Sequence, residues 1–242
     1  MGHGIMRLLF LLSLLVLSDT SLARIYLVAA GIADYPGGNN DLILPAKDAQ
    51  TIVGVYANNS DIQYKLLLNK EATAGNILNA VSKLFSKASA NDIVVLFFSG
   101  HGYKGGFMAY DGVLSYAKLR SALAKSKARN KMVFADACFS GKMRTTGRAD
   151  GSMNDIKDAN VMLFLSSRNN EQSIEAAYMQ NGFFTTFLQK GLRGGADLNR
   201  DRTITARELY DYVKQGVVEM SRGKQHPVMW GNFSDNMPVM KW

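Results

Sequence analysis

A single cysteine and a glycine-flanked histidine are the residues of this 242-residue chain best suited to covalent chemistry. The run D-I-V-V-L-F-F-S-G-H-G leads to His101, and the run K-M-V-F-A-D-A-C-F-S-G leads to Cys138. Each run is apolar and stops abruptly at small and polar residues, which is typical of buried strands in a parallel sheet. Because ligand crevices lie beyond the carboxyl ends of such strands, we expect the thiol and the imidazole to meet there. Such a pair can act as a cysteine nucleophile and its base.

Each residue also has a simpler interpretation. Cys138 could be a buried, inert thiol, and His101 could be a loop histidine whose only role is to form hydrogen bonds within that loop. Their occurrence together, each just past an apolar strand, favours the catalytic pair. His226, beside Pro227 in the C-terminal tail, is the rival base. With one Cys and three His in the chain, a zinc site built on several Cys and His is excluded.

The neighbours of the pair indicate how a substrate would be held. Alternation along a strand places Asp136 on the same side as Cys138, and Ser99 on the same side as His101. An acidic group beside the nucleophile suits a basic substrate side chain. Glycines around both residues permit close backbone approach, and the backbone at Gly102 is a candidate donor to an oxyanion.

Composition limits the other classes of function. The net charge is +8, but the basic residues are scattered, so no nucleic-acid partner is predicted. Residues 1–23 read as a signal peptide, with Arg7 before an apolar core and a small-residue cleavage site. An uncleaved anchor is the alternative, but the apolar core of about ten residues is shorter than the roughly twenty that a spanning helix needs. We therefore expect a secreted or periplasmic protein without a stable membrane span.

Strand and helix patterns alternate along residues 24–242, which predicts one α/β domain with helices on both faces of a mostly parallel sheet. A small hairpin is predicted after His101, and a mobile loop over residues 142–158. The tail from residue 225 is predicted to be irregular. The predicted strands are 24–32, 64–68, a run ending at 99, a run ending at 136, and 161–166. The predicted helices are 45–58, 73–87, one that begins at 115, 182–192 and 205–220.

The two motifs S-G-H-G and D-A-C-F-S-G resemble those of the caspase-fold cysteine peptidases, in the metacaspase and paracaspase-like branch of bacteria and protists. A-G-I-A-D-Y near the start, L-P-A-K-D-A-Q at 44–50 and G-F-F-T-T-F-L at 182–188 extend the resemblance. Legumain-like peptidases share a related pattern but usually carry Glu at the place of Asp136. The resemblance implies a three-layer sandwich with about six strands in its central sheet.

The resemblance also implies a specificity pocket. Asp48, Ser99 and Asp136 occupy the positions that line the P1 pocket in metacaspase-like enzymes, which cleave after Arg or Lys. The alternative for Asp48 is an exposed helix residue. Peptide or protein substrates follow, and the oligomeric state stays open.

Residues 197–208, D-L-N-R-D-R-T-I-T-A-R-E, have the ligand spacing of an EF-hand loop. Arg202 stands where the sharp turn normally requires Gly. The alternative is a loop whose side chains cap the following helix, and the two interpretations stay open. No cofactor is otherwise required. The predicted calcium ligands are Asp197, Asn199, Asp201, Thr203 and Glu208.

The sequence therefore predicts an exported cysteine endopeptidase that acts after Arg or Lys. Self-cleavage is predicted in the loop at 142–157, after one of its basic residues. Two alternatives are a catalytically silent caspase-like domain that binds peptides or proteins, and a calcium-responsive structural module. The four basic residues in question are Lys142, Arg144, Arg148 and Lys157.

Overall fold

Four strands that are buried on both faces form the centre of the fold. The computed structural model describes residues 23–58, 61–103, 105–138, 161–167 and 180–241. The four central strands run parallel to one another. Their continuous apolar runs are explained by the helices that cover both faces of the sheet. The strands are β1 (Ile25–Gly31), β3 (Ile93–Tyr103), β6 (Asn130–Cys138) and β7 (Val161–Leu165).

Two edge strands complete a central sheet of order β2-β1-β3-β6-β7-β9. β2 (Ile62–Leu68) is parallel to β1, whereas β9 (Val228–Trp230) is antiparallel to β7. The prediction of about six mostly parallel strands is therefore confirmed. A hairpin of β4 (Gly106–Ala109) and β5 (Gly112–Ser115) continues from the end of β3, as predicted.

Five α-helices in the described ranges cover the two faces. Along β1 and β3, alternate side chains belong to two separate apolar clusters, one on each face of the sheet. Helices α2 and α3 pack on one face, and α1, α4 and α5 on the other. The predicted three-layer sandwich is therefore confirmed. The helices are α1 (Pro45–Ala57), α2 (Ala74–Phe85), α3 (Tyr116–Ala124), α4 (Phe183–Lys190) and α5 (Ala206–Met220).

Local signals explain where several helices begin. Pro45 opens α1, where its missing N–H costs no hydrogen bond. The side chain of Thr73 accepts the N–H of Asn76 at 3.1 Å and caps α2. The side chain of Ser115 accepts the N–H of Lys118 at 3.3 Å and caps α3. Both caps were predicted from the sequence.

The prediction of an irregular tail is wrong. β9 lies beside β7, with Val228 opposite Leu165, and β10 (Pro238–Lys241) pairs with β8 (Thr203–Thr205). These strands are three or four residues long, too short for an alternating pattern to be recognised in the sequence. Their stability comes from tertiary partners that the local sequence does not reveal.

Two predicted segments lie outside the described residues: almost all of the signal peptide, and the loop at 142–158 with its four basic residues. Within the ranges that the structure covers, no helix is both long and apolar enough to cross a membrane.

Candidate active site

The parallel pairing of β3 with β6 brings the two predicted catalytic residues together. In the register of these strands, Ser99 lies opposite Asp136 and His101 lies opposite Cys138. Neighbouring strands are about 4.8 Å apart, so the backbones of His101 and Cys138 are as close as two strands allow. The sequence-based expectation that both motifs end at one edge of the sheet agrees with this register.

The imidazole of His101 is oriented by the loop that follows β1. Its Nε2 lies 2.7 Å from the backbone carbonyl oxygen of Asn40. A carbonyl oxygen can only accept, so Nε2 carries the proton in this contact. Nδ1 is then the ring nitrogen that can accept a proton, as a general base requires.

Tyr35 fixes the backbone at the same place. Its buried hydroxyl donates to the carbonyl oxygen of Met108 at 3.0 Å and accepts the N–H of His101 at 3.0 Å. Burial raises the pKa of Tyr35 to about 12, so the hydroxyl stays neutral and can do both. Gly100 has a φ of +153°, and a Cβ there would lie 2.6 Å from the Tyr35 oxygen, so glycine is needed for this arrangement.

The rival base lies farther from the nucleophile strand. His226 lies two residues before the start of β9, and β7 separates β9 from β6. His101, by contrast, is on the strand next to Cys138. The topology therefore favours His101 as the partner of the thiol.

Asp48 is buried beneath the carboxyl ends of β3 and β6, with only 1% of its surface exposed. The alternative of an exposed helix residue is therefore wrong. One carboxylate oxygen accepts the hydroxyl of Ser99 at 2.9 Å. The other accepts the side-chain amide of Asn181 at 2.8 Å and the N–H of Gly182 at 3.1 Å. All three donors are neutral, so none of them balances the charge of the carboxylate.

Asp136 reaches the same place from β6. Its Oδ2 accepts the N–H of Thr185 at 3.1 Å and the hydroxyl of Thr185 at 2.8 Å. Gly182 lies between the two acids: a Cβ there would be 2.5 Å from Asp136 Oδ2 and 3.5 Å from Asp48 Oδ2. The structure thus gathers Asp48, Ser99 and Asp136 around a point where a side chain on residue 182 would not fit, and their role in binding a substrate stays a prediction.

The closeness of Asp48 and Asp136 affects the pKa of Asp48. Burial, together with the nearby charge of Asp136, raises the pKa of Asp48 to about 8. The hydrogen bonds from Asn181, Ser99 and Gly182 act in the opposite direction and are outweighed. A positive charge between the two carboxylates would oppose both causes and favour the ionised form.

The sequence did not reveal a contact that holds the backbone of Ala137, the residue before Cys138. The last pair in the β6–β7 ladder is Ala135 with Leu165, so Ala137 extends past it. The hydroxyl of Ser166 replaces the missing strand partner: it accepts the N–H of Ala137 and donates to its carbonyl oxygen, both at 3.1 Å. The carbonyl of Ser166 in turn accepts the buried amide of Gln225 at 2.9 Å. This chain of contacts fixes the residue directly before Cys138.

Gly102, the predicted backbone donor to an oxyanion, follows His101 on β3 and pairs with Phe107 of β4. It therefore lies at the edge where the strand register places Cys138. Its role as a donor stays a prediction.

The predicted calcium ligands bond to their own loop. Asp197 accepts the N–H groups of Asp201 and Arg202 at 3.2 and 3.1 Å. Glu208 forms a capping box with Thr205 at the start of α5, which is what the capping interpretation predicts. In the described part of the chain, no three His, Cys, Asp or Glu side chains form a group that could hold a metal ion. The calcium site stays a prediction.

Asn199 and Thr203, the other two predicted calcium ligands, also take part in the loop. The Asn199 side chain accepts the N–H of Asp201 at 2.9 Å, and the N–H of Thr203 donates to Asp201 at 2.8 Å.

With this geometry established, comparison with known proteins identifies the family. A family model described as the caspase domain matches residues 26–237. The chain belongs to the caspase-domain family. Membership of this family indicates a cysteine peptidase that acts on peptide or protein substrates.

Solved structures agree on the fold. Protein GSU0716 from Geobacter sulfurreducens superposes with a TM-score of 0.65 at 20% identity, covering 87% of this chain and 94% of its own. Caspase-1 from Spodoptera frugiperda superposes with a TM-score of 0.60 at 13% identity, covering 88% of this chain and 87% of its own. No curated protein sequence matches. At these identities the structural likeness establishes the fold alone.

The raised pKa of Asp48 predicts a pH-dependent stability. Between pH 4 and pH 8 the folded carboxyl keeps a proton that the unfolded chain has lost, so the free energy of unfolding should fall as the pH rises. The slope from one such group is at most about 1.4 kcal/mol per pH unit. Urea unfolding of the parent and of Asp48→Asn across this range should give curves that diverge as the pH rises, because the parent loses stability and the neutral amide of the variant does not titrate. Parallel curves would contradict the assignment.

The contact between Ser166 and Ala137 predicts a positioning effect. Ser166→Ala should slow the alkylation of Cys138, the only cysteine of the chain, and lower kcat by roughly 10- to 100-fold with KM little changed. Iodoacetamide labelling against pH and steady-state kinetics measure both.

The matched control is Ser126→Ala. Ser126 is also buried and bonds to the backbone, at the N–H of Ala128, but it lies beyond α3. Both variants should lose a similar stability, on the order of 1 kcal/mol. Equal labelling rates in the two variants would show that Ser166 is merely structural.

Proposed function

We propose that this caspase-domain protein is an exported cysteine endopeptidase that hydrolyses peptide bonds after Arg or Lys. Membership of the caspase-domain family supports the cysteine-peptidase part. The observation that carries the preference for a basic P1 residue is the buried pair Asp48 and Asp136, at the edge of the sheet where His101 and Cys138 are in register.

A cationic substrate side chain would be electrostatically complementary to Asp48 and Asp136. Two carboxylates taken out of water are costly to ionise together, and the donors to Asp48 are all neutral. A guanidinium or ammonium group would bring a positive charge to the two acids and form charge-assisted hydrogen bonds with them. Its binding should also release the proton that Asp48 holds below pH 8.

The proposed reaction uses the orientation of His101. Nδ1 takes the proton of the Cys138 thiol, and the thiolate sulfur bonds to the carbonyl carbon of the P1 residue. The backbone N–H of Gly102 is the proposed donor to the oxyanion. The C–N bond then breaks as His101 passes its proton to the leaving nitrogen. Water, deprotonated by the same imidazole, hydrolyses the thioester and restores the thiol.

Export and self-processing complete the proposal. The signal-like residues 1–23 support export to the exterior or the periplasm. The segment 142–157 begins four residues after Cys138 in the sequence and carries four basic residues, so an enzyme with a basic P1 preference has suitable bonds close to its own nucleophile along the chain.

The P1 preference is tested with internally quenched peptides that differ only at P1. The parent should cleave those with Arg or Lys and should not cleave those with Asp, Gln or Leu. Asp136→Asn and Asp48→Asn should each lower kcat/KM for basic substrates by about 100-fold or more, because a charge-assisted contact to the substrate is lost. Isothermal titration of an Arg-containing inhibitor in two buffers would measure the proton released.

Asp211→Asn is the control for the carboxylates, because Asp211 is an exposed residue paired with Arg207 on α5. Its kcat/KM should equal that of the parent. Cys138→Ala separates the enzyme from a silent peptide-binding domain: turnover that persists in this variant comes from a contaminant, and a parent that binds but never cleaves is the silent domain. Cleavage after Asp136→Asn at the parental rate would remove the pocket assignment.

Self-cleavage is tested by mass spectrometry of the purified chain at neutral pH. Fragments should end at Lys142, Arg144, Arg148 or Lys157 in the parent and be missing in Cys138→Ala. A parent that turns over peptides while its own chain stays whole would show that the cut is not needed.

A further inference from the structure

A cavity of about 390 Å³ adjoins His101. It lies between the loop after β1, the end of β3 and the β4–β5 hairpin. Of the predicted site residues, His101 and Gly102 line this cavity, whereas Asp48, Ser99 and Asp136 do not. The cavity is therefore distinct from the proposed acidic pocket, which is formed by Asp48, Ser99 and Asp136. Both lie at the carboxyl ends of β3 and β6.

The reaction determines which part of a substrate would lie there. When the sulfur has bonded to the carbonyl carbon, the C–N bond breaks and the proton of the His101 imidazolium moves to the leaving nitrogen. That nitrogen belongs to P1′, the residue after the scissile bond, so it must lie beside the imidazole. The acidic pocket takes the residue before the bond. A cavity lined by His101, and not by the two carboxylates, is in the right place for the P1′ side chain.

The walls determine what that side chain should be. Three tyrosines line the cavity, together with Pro36, Met108 and the neutral polar residue Asn40; the tyrosines are Tyr35, Tyr103 and Tyr110. Among the described lining residues there is no Asp, Glu, Lys or Arg. Tyr103 is 50% exposed, so its ring has surface that a bound side chain can cover. Such a lining favours a neutral aromatic or large aliphatic group and disfavours a charged one.

The cavity also has a fixed wall. The hydroxyl of Tyr35 is held between the carbonyl of Met108 and the N–H of His101, and the rings of Tyr35 and His101 lie 4.9 Å apart between centroids. A side chain that fills the cavity would therefore pack against groups that already orient the imidazole. The volume falls in the range of about 300–1,000 Å³ that ligand pockets occupy. Little reorganisation is needed for binding, which favours affinity.

We propose that this cavity is the S1′ subsite and selects an aromatic or large aliphatic residue directly after the cleaved bond. The proposal rests on the proposed function, because it takes His101 as the group that protonates the leaving nitrogen.

Internally quenched peptides with Arg fixed at P1 and with Phe, Leu, Gly, Glu or Lys at P1′ test the proposal. The kcat/KM for Phe and Leu should exceed that for Gly by roughly 10- to 100-fold, and Glu and Lys should be the poorest. In Tyr103→Ala the ratio of Phe to Gly should fall several-fold. In the control Tyr64→Ala, which removes a similarly exposed tyrosine from the edge strand β2, the ratio should equal that of the parent.

The outcomes separate the two claims. If peptides with Arg at P1 are cleaved equally whatever follows, or best with Glu or Lys, the subsite is wrong and the proposed function stands. If the ratio of Phe to Gly is unchanged in Tyr103→Ala, the preference arises elsewhere and the cavity is not its source. If no peptide with Arg or Lys at P1 is cleaved, the proposed function fails and the subsite fails with it.

Discussion

The register between β3 and β6 is the constraint on which the whole site depends. It places Ser99 opposite Asp136 and His101 opposite Cys138. A slip of one residue would turn the side chains of one strand to the other face of the sheet. Both strands are buried on both faces, with Val133 in the apolar cluster of α2 and α3 and Phe134 in that of α1, α4 and α5. The packing of the core therefore fixes the register, and the register fixes the chemistry.

The acidic pocket works against the stability that this packing provides. Asp48 is as buried as the core and has no described cation beside it, so at neutral pH it retains a proton that the unfolded chain would lose. An apolar residue there would avoid this cost. The proposed binding of a basic side chain would account for two acids that stay buried on either side of Gly182 at a cost to stability.

The sequence predicted what depends on local pattern. Apolar runs predicted the central strands, and alternation placed Asp136 with Cys138. Contacts between distant residues could not be predicted. Asn181 bonds to Asp48 across 133 positions, and Thr185 bonds to Asp136 across 49, and no spacing rule links such residues. The strand β9 was missed for the same reason, because its three residues are ordered by β7 and not by their own pattern.

The two halves of the site have separate supports. Tyr35, Asn40 and Met108, all from the first half of the chain, hold the backbone and ring of His101. The nucleophile strand is held from the second half, where Ser166 bonds to Ala137, Gln225 bonds to Ser166, and Thr185 bonds to Asp136. The β3–β6 pairing joins these two groups of contacts. A change in the C-terminal segments would therefore act on Cys138 and Asp136 and leave the contacts that hold the imidazole of His101 in place. The alignment of His101 with Cys138 thus depends on the complete sheet, with β7 and β9 in position beside β6.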